Sequence, residues 1–241
     1  MRLILILGIT FLFCSKPALQ PLGTPELEFE RGVAYYNKGS YKEAMKSFEY
    51  LIFNFPGSGL IDDAQIYIAR AQLKMKHYDQ ANLEAQFLID NFPRSEHVEE
   101  AYLIKARALY ATLPSSKRDQ TQTEEAINTL EQFIEIYPNS KFLPEIRKIL
   151  FHCRSRIAEK ELKNGLFYKR RGDLGAALIY FRMIIARYPE TPVAREARYN
   201  LARILEKRLR IDDARKHYQQ LTDSLDVWGK KAKERLAEIE K

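Results

Sequence analysis

Along most of the chain apolar residues return at helical intervals, and four segments interrupt that pattern in the same way: Phe55-Pro56-Gly57-Ser58, Phe92-Pro93-Arg94-Ser95, Tyr137-Pro138-Asn139-Ser140 and Tyr188-Pro189-Glu190-Thr191. Each reads aromatic, proline, any residue, hydroxyl. Proline cannot continue the helical hydrogen-bond ladder, and the hydroxyl that follows is placed to cap the next helix. The prolines are 37, 45 and 51 residues apart. Counting back from Pro56 gives Gly32, Tyr35, Ala44 and Phe48, and counting back from Pro189 gives Gly165, Tyr168, Ala177 and Phe181 at the same offsets. The middle windows keep Ala69, Ala81 and Leu88 before Pro93, then Ala106, Ala126 and Phe133 before Pro138; a fifth carries Ala202, Ala214, Tyr218 and Leu221.

Small residues facing aromatics at these offsets resemble the tetratricopeptide repeat (TPR), a helix-turn-helix unit of about 34 residues. That resemblance implies an all-α solenoid of about five repeats, with ten or eleven helices, no sheet, and a groove lined by the first helix of each pair. The surplus spacing has two sources. The polar stretch from Pro114 to Thr123 predicts a long loop between the paired helices of the third repeat. After Pro144, which suits a first helical turn, Ile146, Ile149, Leu150, Cys153, Ile157, Leu162 and Leu166 keep helical spacing without a break. The fourth repeat is therefore expected to open on a helix of roughly 30 residues. Lys38-Gly39 and Arg171-Gly172 mark helix ends, and Trp228, Ala232, Leu236 and Ile239 predict a closing helix.

The N-terminus follows another rule. Met1-Arg2 precedes an unbroken apolar run, Leu3 to Phe13, too short for the roughly 20 residues that a membrane span needs but matching the core of a secretory signal. Cys14 at its end resembles the lipidation site of bacterial lipoproteins, although Phe13 stands where that pattern has a small residue; the alternative is an uncleaved apolar N-terminus. The expected organisation is a lipoprotein-type signal over 1–13, a lipid-anchor tether over 14–24, repeats one to three over 25–141, and repeats four and five with the closing helix over 142–241. With Cys14 so used, Cys153 is left alone and no internal disulfide is expected.

Composition excludes more than it assigns. With 46% hydrophobic and 29% charged residues, 10 Gly, 10 Pro and 2 Cys, the chain is neither disordered nor disulfide-stapled. His77, His97, His152 and His217 are scattered over different repeats, with only His97 and Glu100 at i, i+3, so no metal site and no cofactor are expected. Asp62-Asp63, Glu99-Glu100, Glu124-Glu125 and Asp212-Asp213 fall in first turns of expected helices, where negative charge suits the dipole. No constellation for catalysis assembles, and the expectation is a protein that is not an enzyme.

The net charge of +7 is unevenly spread: residues 15–141 hold 14 basic and 18 acidic residues, and residues 142–241 hold 24 and 14. Fields of opposite sign steer different partners. In the basic half Lys169-Arg170-Arg171 is followed by Arg182, Arg187, Arg195, Arg198 and Arg203, and arginine forks suit an acidic protein partner. In the first half Phe29, Val33, Tyr36, Ile66, Arg70, Leu73, Leu103, Arg107 and Tyr110 fall on groove-facing positions, an apolar trough with two cations able to hold an extended segment bearing aromatics or a carboxylate.

The order of signal, cysteine, tether, five windows and a long helix running through Ala158-Glu159-Lys160-Glu161 into Tyr168-Lys169-Arg170-Arg171-Gly172 is similar to the BamD family of outer-membrane assembly lipoproteins. The resemblance covers the chain from Cys14 to about Leu221. It implies a non-catalytic adaptor, lipid-anchored through Cys14 to the outer membrane and facing the periplasm. It further implies docking of a BamA-like barrel protein through its POTRA domains on Arg171, Arg182 and Arg187, reception of unfolded β-barrel substrates in the trough, and contacts with other lipoproteins of the complex, without a specific nucleic acid. One departure is Tyr180, where relatives carry Arg. The alternatives are another periplasmic TPR adaptor, such as a Tol-Pal coordinator or a secretin pilot, and a surface nucleic-acid-binding lipoprotein.

Overall fold

The computed structural model describes residues 22–116 and 118–239. The expected signal, Cys14 and most of the tether lie outside the described residues. Among those described there are eleven helices and no strand: α1 Pro25–Asn37, α2 Tyr41–Asn54, α3 Ile61–Lys74, α4 Tyr78–Asn91, α5 Val98–Thr112, α6 Thr121–Ile136, α7 Leu143–Arg170, α8 Leu174–Arg187, α9 Pro192–Lys207, α10 Ile211–Gln219 and α11 Val227–Ile239. Five antiparallel pairs run from α1/α2 to α9/α10, and α11 closes the stack on α9 and α10. Each helix packs on its chain neighbours, and the first helices α1, α3, α5, α7 and α9 also touch in succession, whereas no second helix among α2 to α10 touches another. Contact on one side alone makes this a TPR solenoid rather than a closed bundle, and it lays the first helices along one face.

The punctuation acts through the residue before each proline. Phe55, Phe92, Tyr137 and Tyr188 are the C-cap residues of α2, α4, α6 and α8, with φ between −120° and −131°. Steric conflict with the proline ring denies them the helical region. The hydroxyls do not cap the following helices as expected. Ser58, Ser95 and Ser140 lie two residues ahead of the N-caps of α3, α5 and α7, and each Oγ accepts the N–H two residues on, from Leu60, His97 and Phe142, at 3.1 Å. Thr191 is itself the N-cap of α9, but its hydroxyl donates back to the Tyr188 carbonyl at 2.8 Å. These side chains close the turn between repeats.

Gly32 and Gly165 explain the conserved offsets within the chain. A Cβ on Gly32 would lie 2.5 Å from the Phe48 ring, and one on Gly165 would lie 2.7 Å from the Phe181 ring. Both rings are fully buried, so each glycine is the space its aromatic fills. Gly39 and Gly172, at φ +76° and +83°, turn the chain from first to second helix, and the same place is taken in the second and fifth repeats by Lys76 and Leu209 at φ +62° and +61°.

The long helix is two first helices in one. α7 has 28 residues, twice the 14 of α3. Its first half reaches mainly backward: Glu145 binds Arg107 of α5, the His152 ring lies 5.6 Å from Tyr110, and Arg154 binds Glu131 of α6 while also donating forward to Glu190. Its second half reaches forward: Gly165 receives Phe181, Tyr168 stacks on Tyr180 at 5.6 Å, and Lys169 Nζ donates to Asn200 at 2.6 Å. The loop of the third repeat is tied down along this helix, where Arg156 donates to the Leu113 and Pro114 carbonyls and Lys163 to Ser116 Oγ. Cys153 is buried and free, its thiol pushed up to about 11 by burial, which leaves it unreactive. No helix of the described residues is long and apolar enough to cross a membrane.

Candidate functional site

The face made by α1, α3, α5 and the first half of α7 holds the expected trough, at three depths. Ile66 and Leu103 are buried at 0% and 3% exposure, so they form the floor and present no surface. Phe29, Val33, Tyr36 and Leu73 are half-buried. Phe29 and Tyr36 each pack edge-on against Tyr67, at 5.7 and 5.2 Å. Tyr67 in turn stacks on Phe48, joining the small core of the first repeat to the continuous core beyond it. Burial pushes the Tyr36 hydroxyl up, keeping it neutral. Of the apolar and aromatic members only Tyr110 stands well out, and it borders a cavity of about 650 Å³ lined by Arg107, Pro144, Ile149 and His152.

The two cations of the trough are not free. Arg70 makes a bidentate bond to Glu100, both contacts 2.6 Å, with its guanidinium 4.7 Å over the Tyr67 ring. Arg107 makes another to Glu145 at 2.7 Å. Burial pushes the Glu100 carboxyl up, but the hydrogen bond and charge of Arg70 outweigh it and hold the group below the usual carboxylate range. Glu145 is held low by its hydrogen bond from Arg107. An incoming carboxylate must therefore exchange with one already bound, whereas an aromatic or aliphatic group meets the exposed Tyr110 ring at the mouth of that cavity. Sequence reasoning missed Tyr67, Glu100, Glu145 and His152 as members of this face. The signal was present: Arg70 precedes Glu100 by 30 residues and Arg107 precedes Glu145 by 38, about one repeat.

The basic half divides differently. Arg171, Arg182 and Arg187 are all exposed and have no carboxylate partner among the described residues. They do not converge, however. Arg171 sits before the N-terminus of α8 and Arg187 at its C-terminus, about 20 Å apart by helical rise. Burial, then the charge of Arg198 and to a lesser degree that of Arg182, hold the His217 imidazole below its ordinary range against the opposing charge of Asp213. Two members of the expected patch are neutralised. Arg195 binds Asp223 and Asp226, the latter also accepting from Gly229 N at 2.7 Å in the first turn of α11, and Arg203 pairs with Glu206. The acidic first turns appear as expected for Asp62, Asp63, Glu99, Glu100, Glu124, Asp212 and Asp213. His97 bonds across the repeat boundary to Asp63 rather than to Glu100.

Residues 23–221 match the YfiO family, described as outer membrane lipoprotein. The outer membrane protein assembly factor BamD of Caulobacter vibrioides is 25% identical over 188 residues, 78% of this chain and 62% of that protein. The factor of the same name from Rickettsia prowazekii is 24% identical over 203 residues, 82% of this chain and 80% of its own length. The chain thus spans less than two thirds of the first of these relatives. Among solved structures, a thermophilic TPR protein of Thermus thermophilus aligns over 90% of this chain and 98% of its own, with 20% identity and a TM-score of 0.39.

Proposed function

The chain belongs to the YfiO family of outer membrane lipoproteins, and from that membership we propose that it is a non-catalytic adaptor in the assembly of outer-membrane β-barrel proteins. The family match carries this reading, because it runs through all five repeats rather than one TPR pair. Assembly factors named BamD match over most of the same span. Anchoring through a lipidated Cys14 on the periplasmic side of the outer membrane completes it.

The two regions take different partners. The N-terminal face receives extended segments of unfolded barrel substrates, an aromatic side chain entering beside Tyr110, Ile149 and His152, with Arg107 near enough to exchange Glu145 for a substrate carboxylate. The C-terminal repeats dock a BamA-like barrel protein through its POTRA domains. Arg182 with Arg198 forms the centre of that surface, and Arg187 and Arg171 lie toward its two ends. Arginines with no carboxylate partner offer forks to acidic groups without first giving up an ion pair. The test is purification of the tagged full-length chain from native outer membranes. Co-purification of a BamA-like barrel protein is expected; an intact, membrane-bound chain that brings down none overturns the proposal.

A further inference from the structure

We propose that Asp63, Glu96 and His97 bind a divalent transition-metal cation of the zinc type, fastening the second repeat to the third. Asp63 comes from the first turn of α3, while His97 is the N-cap of α5 and Glu96 precedes it, so the donors approach from both sides of the repeat boundary. One oxygen from each carboxylate and a ring nitrogen lie within 4.8 Å of one another. His97 Nε2 is 2.8 Å from Asp63 Oδ1 and 4.0 Å from Glu96 Oε1.

Those distances bracket what a cation needs. Nitrogen and oxygen ligands on tetrahedral zinc lie about 3.3 Å from each other, so the His97–Asp63 pair must open by roughly 0.5 Å, the His97–Glu96 pair close by roughly 0.7 Å, and the third pair, the two carboxylate oxygens within 4.8 Å, settle as Glu96 turns. The supporting structure permits these movements. The His97 backbone is fixed by its N–H bond to Ser95 Oγ at 3.1 Å, and its side chain is only 15% exposed, which holds the imidazole in place. The Glu96 side chain is 87% exposed and makes no hydrogen bond among the described residues, so it can swing inward.

The surrounding charge favours a cation. Glu96, His97, Glu99 and Glu100 border one cleft of about 490 Å³ whose other charged groups are Arg70, already held by Glu100, and Lys141. The cleft leaves room for the water that would complete four ligands. An imidazole with two carboxylates and one open position is a donor set suited to zinc, not to calcium or magnesium, which take all-oxygen shells. No other group of three such side chains converges among the described residues.

The experiment is zinc titration of the full chain, carried in a Cys14→Ser background to remove a competing thiol, read by competition with a chromophoric chelator and by the thermal midpoint. The expected result is one zinc per chain and a midpoint that rises with zinc concentration. His97→Ala abolishes both effects. Because that change also removes the bond to Asp63, Glu96→Gln is the cleaner arm: it leaves the metal-free midpoint unchanged and weakens zinc binding about tenfold or more. His152→Ala and His217→Ala leave zinc binding intact. Absence of saturable binding, or binding indifferent to both His97→Ala and Glu96→Gln, overturns the site.

Discussion

The first three repeats and the last two are built on one plan, yet they leave different amounts of charge unpaired. In the first three, the inner-face arginines bind glutamates one repeat further on, Arg70 with Glu100 and Arg107 with Glu145, so charge joins first helix to first helix. In the last two, Arg171, Arg182 and Arg187 have no such partner; one pair, Arg154 with Glu190, still reaches about a repeat further on, while Arg203 with Glu206 serves a single helix and Arg195 with Asp226 and Arg235 with Glu206 hold the closing helix. The difference teaches that net charge alone does not locate a binding surface. What matters is how much of it remains after the fold has satisfied its own groups.

The largest test of the shared plan is removal of the ring that each glycine admits. Phe181→Ala, in the continuous core, should cost about 3–5 kcal/mol, as should Phe48→Ala. The consequences should differ in extent. Phe48 belongs to the separate cluster of the first repeat, so its loss should raise amide exchange in α1 and α2 first, while loss of Phe181 should lower protection on both sides of α7. Gly165→Ala should cost about 1–3 kcal/mol by forcing the Phe181 ring aside. If both phenylalanine variants loosen the whole chain alike, the two regions are not separable.

Next in size is the contrast in charge itself. Reversing Arg182 and Arg187 to glutamate should weaken capture of a BamA-like partner roughly tenfold or more, with helicity unchanged by circular dichroism. Reversing Arg94, exposed on a loop of the first half, should leave capture as it was. Equal capture yields from all variants would remove the docking role from this surface.

A smaller effect distinguishes the paired half by pH. Glu100 and Glu145 are held below the ordinary carboxylate range in the folded chain, so their contribution to stability is complete above the unfolded pKa and is lost as pH falls through the folded value. Urea midpoints measured from pH 6 down to pH 3 should therefore fall more steeply for the native chain than for Glu100→Gln. At neutral pH a double-mutant cycle on Arg70 and Glu100 should give a coupling of about 1 kcal/mol or less, since both side chains remain partly solvated. A flat cycle together with parallel acid curves would mean that these pairs decorate the face without holding it.

What could be read beforehand follows from which interactions are local. The repeat count, the long helix and the closing helix were legible because periodicity, proline and glycine act within a few residues of themselves; the expectation of roughly 30 residues for α7 meets 28. The inner face was half legible. Helical position put Tyr36, Arg70, Arg107 and Tyr110 on first helices, where the structure has them, but it could not separate Ile66 and Leu103, which are buried, nor see the glutamates that occupy both arginines. Those depend on the next repeat's register. The same limit hid the bond from His97 to Asp63, 34 residues away, behind the nearer Glu100. Once the register is known, most of these partners appear about one repeat distant in the sequence.

The smallest effect tests the plan at its turns. Gly39 and Gly172 take positive φ where the first helix gives way to the second, and Lys76 and Leu209 take the same conformation with a side chain attached. An L-residue there costs about 1–2 kcal/mol, while glycine surrenders roughly 0.5–1 kcal/mol through its greater freedom when unfolded. Leu209→Gly should thus gain only a few tenths of a kcal/mol, and Leu209→Asn, which tolerates this conformation with less freedom to lose, should gain as much or more. Leu209 is 85% exposed, so neither change forfeits packing. The converse changes, Gly39→Ala and Gly172→Ala, meet no atom within 4 Å of the new Cβ, and any loss must come from the backbone alone. Urea midpoints that move in opposite directions for the two sets would establish that the three turns varied are one device. Midpoints that fall for both sets would show that Lys76 and Leu209 owe their conformation to contacts of their own side chains.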